Sequence, residues 1–118
     1  MSYTVKELRE RELKRLVSYK TSEPTSEDFD SARSLMNSFY RFSAFCERLF
    51  YLQNDEKWCN SKTVKGMEAR EDKWFKRLNK AFKTYGLSVY FCGIFPSIGT
   101  KDPKTGAVSD KISLYYYK

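Results

Sequence analysis

Apolar residues recur at helical spacing through most of the chain, and its first half shows this most clearly. Residues 3–20 carry leucines on one broad side, and Thr4 stands three residues before Glu7, which is the spacing of a capping box. Residues 26–54 follow a short connection that contains Pro24. Because short connections join antiparallel neighbours in helical proteins, the pattern predicts two antiparallel helices.

The helix predicted over residues 26–54 has the widest apolar side. At about 100° per residue, one broad arc holds most of its large apolar side chains. These residues are Phe29, Ala32, Leu35, Met36, Phe39, Phe42, Cys46, Leu49 and Phe50. A helix of this kind is normally covered on more than one side, so we expect it at the centre of the core. Because this helix is so apolar, it could also form a subunit interface, so the sequence allows either a monomer or a homodimer.

A third helix is predicted over residues 63–85, with Gly86 suited to end it. The periodicity then changes to that of strands. Residues 87–95 and 111–117 are rich in strand-forming side chains, and Pro96 is expected to end the first strand. Turn-forming residues at 102–106 lie between the two segments. The pattern predicts a β-hairpin with a long loop.

These elements define an α+β fold. We expect one domain over residues 1–118, since 118 residues suit a single modest core. Three helices would form that core around the central apolar second helix, and the C-terminal β-hairpin would pack on the helices. The packing is expected because an isolated hairpin is only marginally stable in water.

The third predicted helix concentrates positive charge on one side. An arc of about 120°, away from the apolar stripe, contains several cations and no acidic residue. We call these residues the cationic face: Lys73, Lys76, Arg77, Lys80 and Lys83. Like charges three or four residues apart repel one another, and an anionic partner would relieve that repulsion. Backbone phosphates are one such partner, whereas the alternative interpretation is a face that only keeps the protein soluble.

A second candidate surface is aromatic. Tyr90, Tyr115 and Tyr117 are predicted on one side of the hairpin, where aromatic rings beside cations can stack unpaired bases. The alternatives are packing on the core, pairing across the hairpin and contact with a protein.

The composition narrows the chemistry. The chain has no histidine, which excludes catalytic triads and pairs that need imidazole as well as histidine-containing zinc sites. Cys46, Cys59 and Cys92 form no C-x-x-C motif and are interpreted as free thiols in a reducing compartment. Two groups of carboxylates, at residues 27–30 and 68–72, are explained by helix capping and solvation. We therefore expect no enzyme, no cofactor and no metal.

The charge balance indicates the class of partner. Lysine and arginine number 22 against 15 acidic residues, which gives a net charge of +7. We expect a small cytoplasmic protein that binds nucleic acid through the cationic face. The alternative is a protein-binding module or inhibitor that docks on a larger nucleic-acid enzyme or nucleoprotein, such as a phage or mobile-element anti-defence factor. No membrane partner is expected, because lipid contact would take Trp74, Leu78 and Phe82 out of the core.

Overall fold

The computed structural model describes residues 2–109, and these contain three α-helices and a short antiparallel sheet. The elements are α1 (Val5–Lys20), α2 (Ser26–Asn54), α3 (Lys62–Phe82), a 3₁₀ turn (Lys83–Tyr85), β1 (Ser88–Cys92), β2 (Phe95–Lys101) and β3 (Val108–Ser109). In the sheet, β2 lies between β1 and β3. The strand predicted over residues 111–117 lies outside the described residues.

Short polar side chains begin each helix. The Thr4 hydroxyl accepts the Glu7 N–H at 3.2 Å before α1. Thr25 and Asp28 form a reciprocal capping box at the start of α2. At α3 the Ser61 hydroxyl accepts the Val64 N–H at 3.1 Å. These caps satisfy N–H groups that the first helical turn leaves without partners, so each helix starts at a defined residue.

The core is built around α2, as the sequence predicts. Phe39 and Phe42 of α2 are fully buried and belong to a cluster that also takes side chains from α1, α3 and the hairpin. A second, smaller cluster joins Leu49 to Val64 and Met67, toward the C-terminal end of α2 and the start of α3. The predicted α+β fold, with three helices and a hairpin packed on them, is confirmed.

The hairpin differs from the prediction. Its first strand ends at Cys92, and the chain reverses through Gly93 and Ile94, so that Cys92 pairs with Phe95. Gly93 has φ +67°, which suits the first position of a type II′ turn.

The expectation that Pro96 ends a strand is wrong, because Pro96 lies inside β2 opposite Phe91. The pair beside a two-residue turn is hydrogen-bonded and the next pair is not, so the missing N–H of proline removes no bond to β1. The predicted turn at residues 102–106 is present, and it connects β2 to β3.

The end of α3 follows the predicted glycine signal. Gly86 has φ +70°, and the Leu87 N–H donates to the Phe82 carbonyl at 3.1 Å, which closes a Schellman-type cap. Leu87 is buried. The α-helical hydrogen bonding stops at Phe82, and the 3₁₀ turn covers the last residues that the sequence assigned to the helix.

Candidate nucleic-acid interface

The apolar side of α3 fixes which way its charged side points. Val64, Met67, Leu78 and Phe82 are buried against the rest of the molecule. Trp74 is half-buried and packs between rings of α2, with centroid distances of 5.4 Å to Phe42 and 5.8 Å to Phe45. The side of α3 that carries Trp74 therefore faces the rest of the molecule, and the opposite side of the helix faces solvent.

All side chains of the cationic face are exposed. Lys83 lies in the 3₁₀ turn rather than in the α-helix. Lys76 forms an ion pair with Asp72, with 2.9 Å between Nζ and Oδ2, and both side chains remain well exposed, so the pair is weak. Between residues 2 and 109, no carboxylate forms an ion pair with Lys73, Arg77, Lys80 or Lys83.

The structure lengthens the cationic face toward the start of α3. The helix begins at Lys62, and at about 100° per residue Lys62 and Lys65 fall within the same arc. Both are exposed, and the positions between them and Lys73 on this arc are Gly66 and Ala69. We call the cationic face together with Lys62 and Lys65 the long cationic face. The sequence prediction omitted Lys62 because it began the helix at residue 63, although the Ser61 cap was readable. Lys65 lies inside the predicted helix, and at about 100° per residue it falls at the same angle as Lys83, so periodicity already indicated it.

Two features of the charges on this helix are unfavourable without a partner: the cation in its first turn and the neighbouring cations along the cationic face. The first turn of α3 contains no acidic residue and begins with Lys62, although the positive end of a helix dipole disfavours cations. The helix has 21 residues, which gives a length of about 30 Å along the axis. An anion placed along this side would relieve both the dipole repulsion and the repulsion between neighbouring cations.

Of the three tyrosines in the predicted aromatic surface, the described residues include only Tyr90. Tyr90 is half-buried on β1, between Val89, which is buried, and Phe91, which contacts rings of α2 and α3. Alternate strand residues point to opposite sides of a sheet, so Tyr90 points away from the helices. Tyr115 and Tyr117 lie outside the described residues, and their role stays a prediction.

A cavity that the sequence did not indicate lies between α2, α3 and the hairpin turn. Its volume is about 260 Å³, and Phe50, Phe91 and Ile94 supply apolar walls beside Glu71 and Gln53. Glu71 is half-buried. Burial raises the pKa of its carboxyl, and the nearby charges of Glu68 and Asp72 raise it further, while a hydrogen bond with the buried Cys46 thiol partly offsets the shift. Burial also raises the pKa of the Cys46 thiol, so this cysteine is held protonated.

The signal for this cavity was present in the helical periodicity. On the wheel of α3, Glu71 falls between Leu78 and Phe82, within the apolar stripe and opposite the cationic face. The sequence treated Glu71 together with Glu68 and Asp72 as one solvated group. Glu71 is the member that the fold turns inward.

A larger groove of about 420 Å³ lies between α1 and α2, but its two arginines are already engaged. Arg33 pairs with Asp30 at 3.2 Å and with Glu10 at 4.0 Å. The Arg9 guanidinium lies 5.0 Å from the centroid of the Tyr40 ring. These contacts use the charges within the molecule, so the groove is a weaker anion site than the long cationic face.

Metal-ligating clusters and membrane-spanning helices also bear on function. Across residues 2–109, no group of three or more histidine, cysteine or acidic side chains is arranged to hold a metal ion. In the same part of the chain, none of the helices combines the length and the apolar character needed to cross a bilayer.

No family model matches the chain, and no similarity emerges to a curated protein or to a solved structure.

Proposed function

We propose that the protein binds the phosphate backbone of nucleic acid through the long cationic face of α3. The observation that carries the proposal is a run of exposed cations along one helix side, of which only Lys76 is paired with a carboxylate in residues 2–109. Lysine and arginine bind phosphates with little sequence information, because affinity comes mainly from the release of condensed counterions. The binding is therefore expected to be largely independent of sequence.

The shape of the helix sets the mode of contact. Its apolar side is buried, so the helix meets nucleic acid with its cationic side chains and does not insert aromatic rings from α3. A length of about 30 Å covers roughly nine base pairs of B-form DNA. Gly66 and Ala69 have small side chains, so a nucleic-acid backbone can approach the helix closely between Lys65 and Lys73.

Charge reversal on the cationic face tests this proposal. The variant K73E/R77E/K80E is titrated against a short labelled DNA duplex, the matching single strand and an RNA of the same sequence, by fluorescence anisotropy. The proposal predicts that affinity falls by at least about 100-fold, because three attractive phosphate contacts become repulsive.

A control variant distinguishes binding through the cationic face from binding that depends only on net charge. The variant K6E/K14E/K104E reverses three exposed cations on α1 and on the β2–β3 turn, and it lowers the net charge of +7 by the same amount. Its affinity should fall far less. Equal losses in both variants, or unchanged binding by K73E/R77E/K80E, would contradict the proposal.

The protein-docking alternative predicts a different result in the same experiment. A cytoplasmic module or inhibitor that docks on a nucleic-acid enzyme would show no direct binding to any of the three nucleic acids. Its support is the small size, the basic charge and the lack of imidazole chemistry. The exposed, mostly unpaired cations on α3 favour direct phosphate binding over this alternative.

A further inference from the structure

We infer that the cavity between α2, α3 and the hairpin turn is a second binding site, which receives the guanidinium of an arginine side chain from a protein partner. The cavity combines a half-buried carboxylate, Glu71, with the aromatic walls of Phe50 and Phe91. It lies on the side of α3 opposite the cationic face, so it does not depend on the proposed binding of nucleic acid.

The charge of the cavity is complementary to a cation. In the described part of the chain, no lysine or arginine forms an ion pair with Glu71. Its carboxylate is partly desolvated and is repelled by Glu68 and Asp72, and both effects raise its pKa. A bound cation would offset both, whereas an anion would add to the repulsion.

The aromatic walls favour a guanidinium over a compact ammonium group. Phe91 is 41% exposed, and its ring is stacked on Phe75 at a centroid distance of 5.2 Å and an interplanar angle of 20°. This backing fixes the ring before a ligand arrives, which lowers the ordering cost of binding. A guanidinium is planar, stacks on aromatic faces and pairs with a carboxylate through two hydrogen bonds.

The size and the rim of the cavity agree with one side chain. A volume of about 260 Å³ is small for a drug-sized ligand and suits a single long side chain. At the rim, the Gln53 amide donates to the Glu68 carboxylate at 3.0 Å, which holds that second carboxylate near the entrance. An arginine entering past the hairpin turn would therefore meet negative charge at the rim and at Glu71.

The test uses the full chain and a minimal probe. Nα-acetyl-L-arginine amide is titrated into the labelled protein, and the backbone amide of Gly93 and the side-chain amide of Gln53 are followed by NMR. The neutral isostere Nα-acetyl-L-citrulline amide is titrated in parallel. We expect saturable shifts at these two positions with the arginine probe and at least about tenfold weaker binding of the citrulline probe, because the charged hydrogen bonds are lost.

Two variants and a control locate the site. Glu71→Gln should weaken binding of the arginine probe at least about tenfold, and Phe91→Leu should weaken it while keeping an apolar wall. Glu23→Gln, which removes an exposed carboxylate in the α1–α2 connection, should leave binding unchanged. Equal shifts with citrulline, unchanged binding by Glu71→Gln, or shifts spread over distant carboxylates would overturn the inference.

Discussion

Glu71 shows how one residue can alter the character of a helix. It occupies the apolar stripe of α3 beside Leu78 and Phe82, although Glu68 and Asp72 on either side are exposed. A partly buried carboxylate without a cationic partner disfavours the ionised folded state, which is why its pKa is raised. Retaining a charge at such a position costs stability, and the cost is consistent with a binding role.

The stability of the protein should therefore depend on pH through Glu71. Because the pKa of Glu71 is raised in the folded state, the unfolded chain loses the carboxyl proton of Glu71 at a lower pH than the folded protein does. The contribution of Glu71 to stability therefore falls as the pH rises above 4.5, the ordinary pKa of a glutamate. Glu71→Gln removes the effect. We expect urea denaturation to show a more stable variant at pH 7 and no difference below about pH 4. A variant that is less stable at neutral pH would contradict this assignment.

Gly66 offers a second measurement on a single residue. It lies inside α3, and an added Cβ would meet no atom within 4 Å. Gly66→Ala should raise the free energy of unfolding by about 0.5–1 kcal/mol, because alanine loses less backbone entropy in a helix. Gly86→Ala is the matched control with the opposite sign, since Gly86 has φ +70° and a side chain is strained there. Urea denaturation of both variants checks the pair, and a destabilised Gly66→Ala would contradict it.

At the scale of elements, one side chain joins the hairpin to the helices. The Asn79 Oδ1 of α3 accepts the Val89 N–H of β1 at 3.2 Å. Val89 is buried, so its N–H has little access to water. This bond, together with the buried Val89 side chain, holds β1 beside α3, where Phe91 stacks on Phe75.

Asn79→Ala should loosen this junction. The variant leaves the Val89 N–H without its acceptor, and we expect a loss of about 1–3 kcal/mol in the free energy of unfolding. Hydrogen exchange should accelerate first in β1 rather than in α2. Asn79→Asp keeps an acceptor oxygen and should recover most of the loss. If Asn79→Ala and Asn79→Asp lose equal stability, the hydrogen bond is not the cause.

The helices and the hairpin differ in how well the sequence predicts them. The apolar arc of α2 and the Gly86 signal depend on neighbours a few residues apart, and the structure confirms both. The prediction for the hairpin was wrong at Pro96. Whether a strand can contain this proline depends on the strand register, and the turn at Gly93 and Ile94 sets that register. The cavity at Glu71 forms where three elements meet. Periodicity places Glu71 in the apolar stripe, yet the prediction assigned it to a solvated group, and the pocket could not be inferred from a single helix.

For the whole molecule, α3 has its two proposed binding sites on opposite sides. The long cationic face points to solvent, and the opposite side forms the cavity with α2 and the hairpin. The small cluster of Leu49, Val64 and Met67 anchors the first half of α3, while the main cluster holds Leu78 and Phe82 in the second half. Because both halves are held, the cations of the two halves can act together on one extended anion.

The salt dependence of binding tests whether both halves take part. The slope of log affinity against log salt is negative, and each phosphate contact on duplex DNA makes it steeper by about 0.9. The variant K62Q/K65Q should therefore make the slope shallower by about 1.8 if both lysines contact phosphates. The control K6Q/K14Q removes the same charge from exposed positions on α1 and should leave the slope nearly unchanged. Equal changes in the two variants would mean that binding follows net charge, and that the start of α3 does not extend the interface.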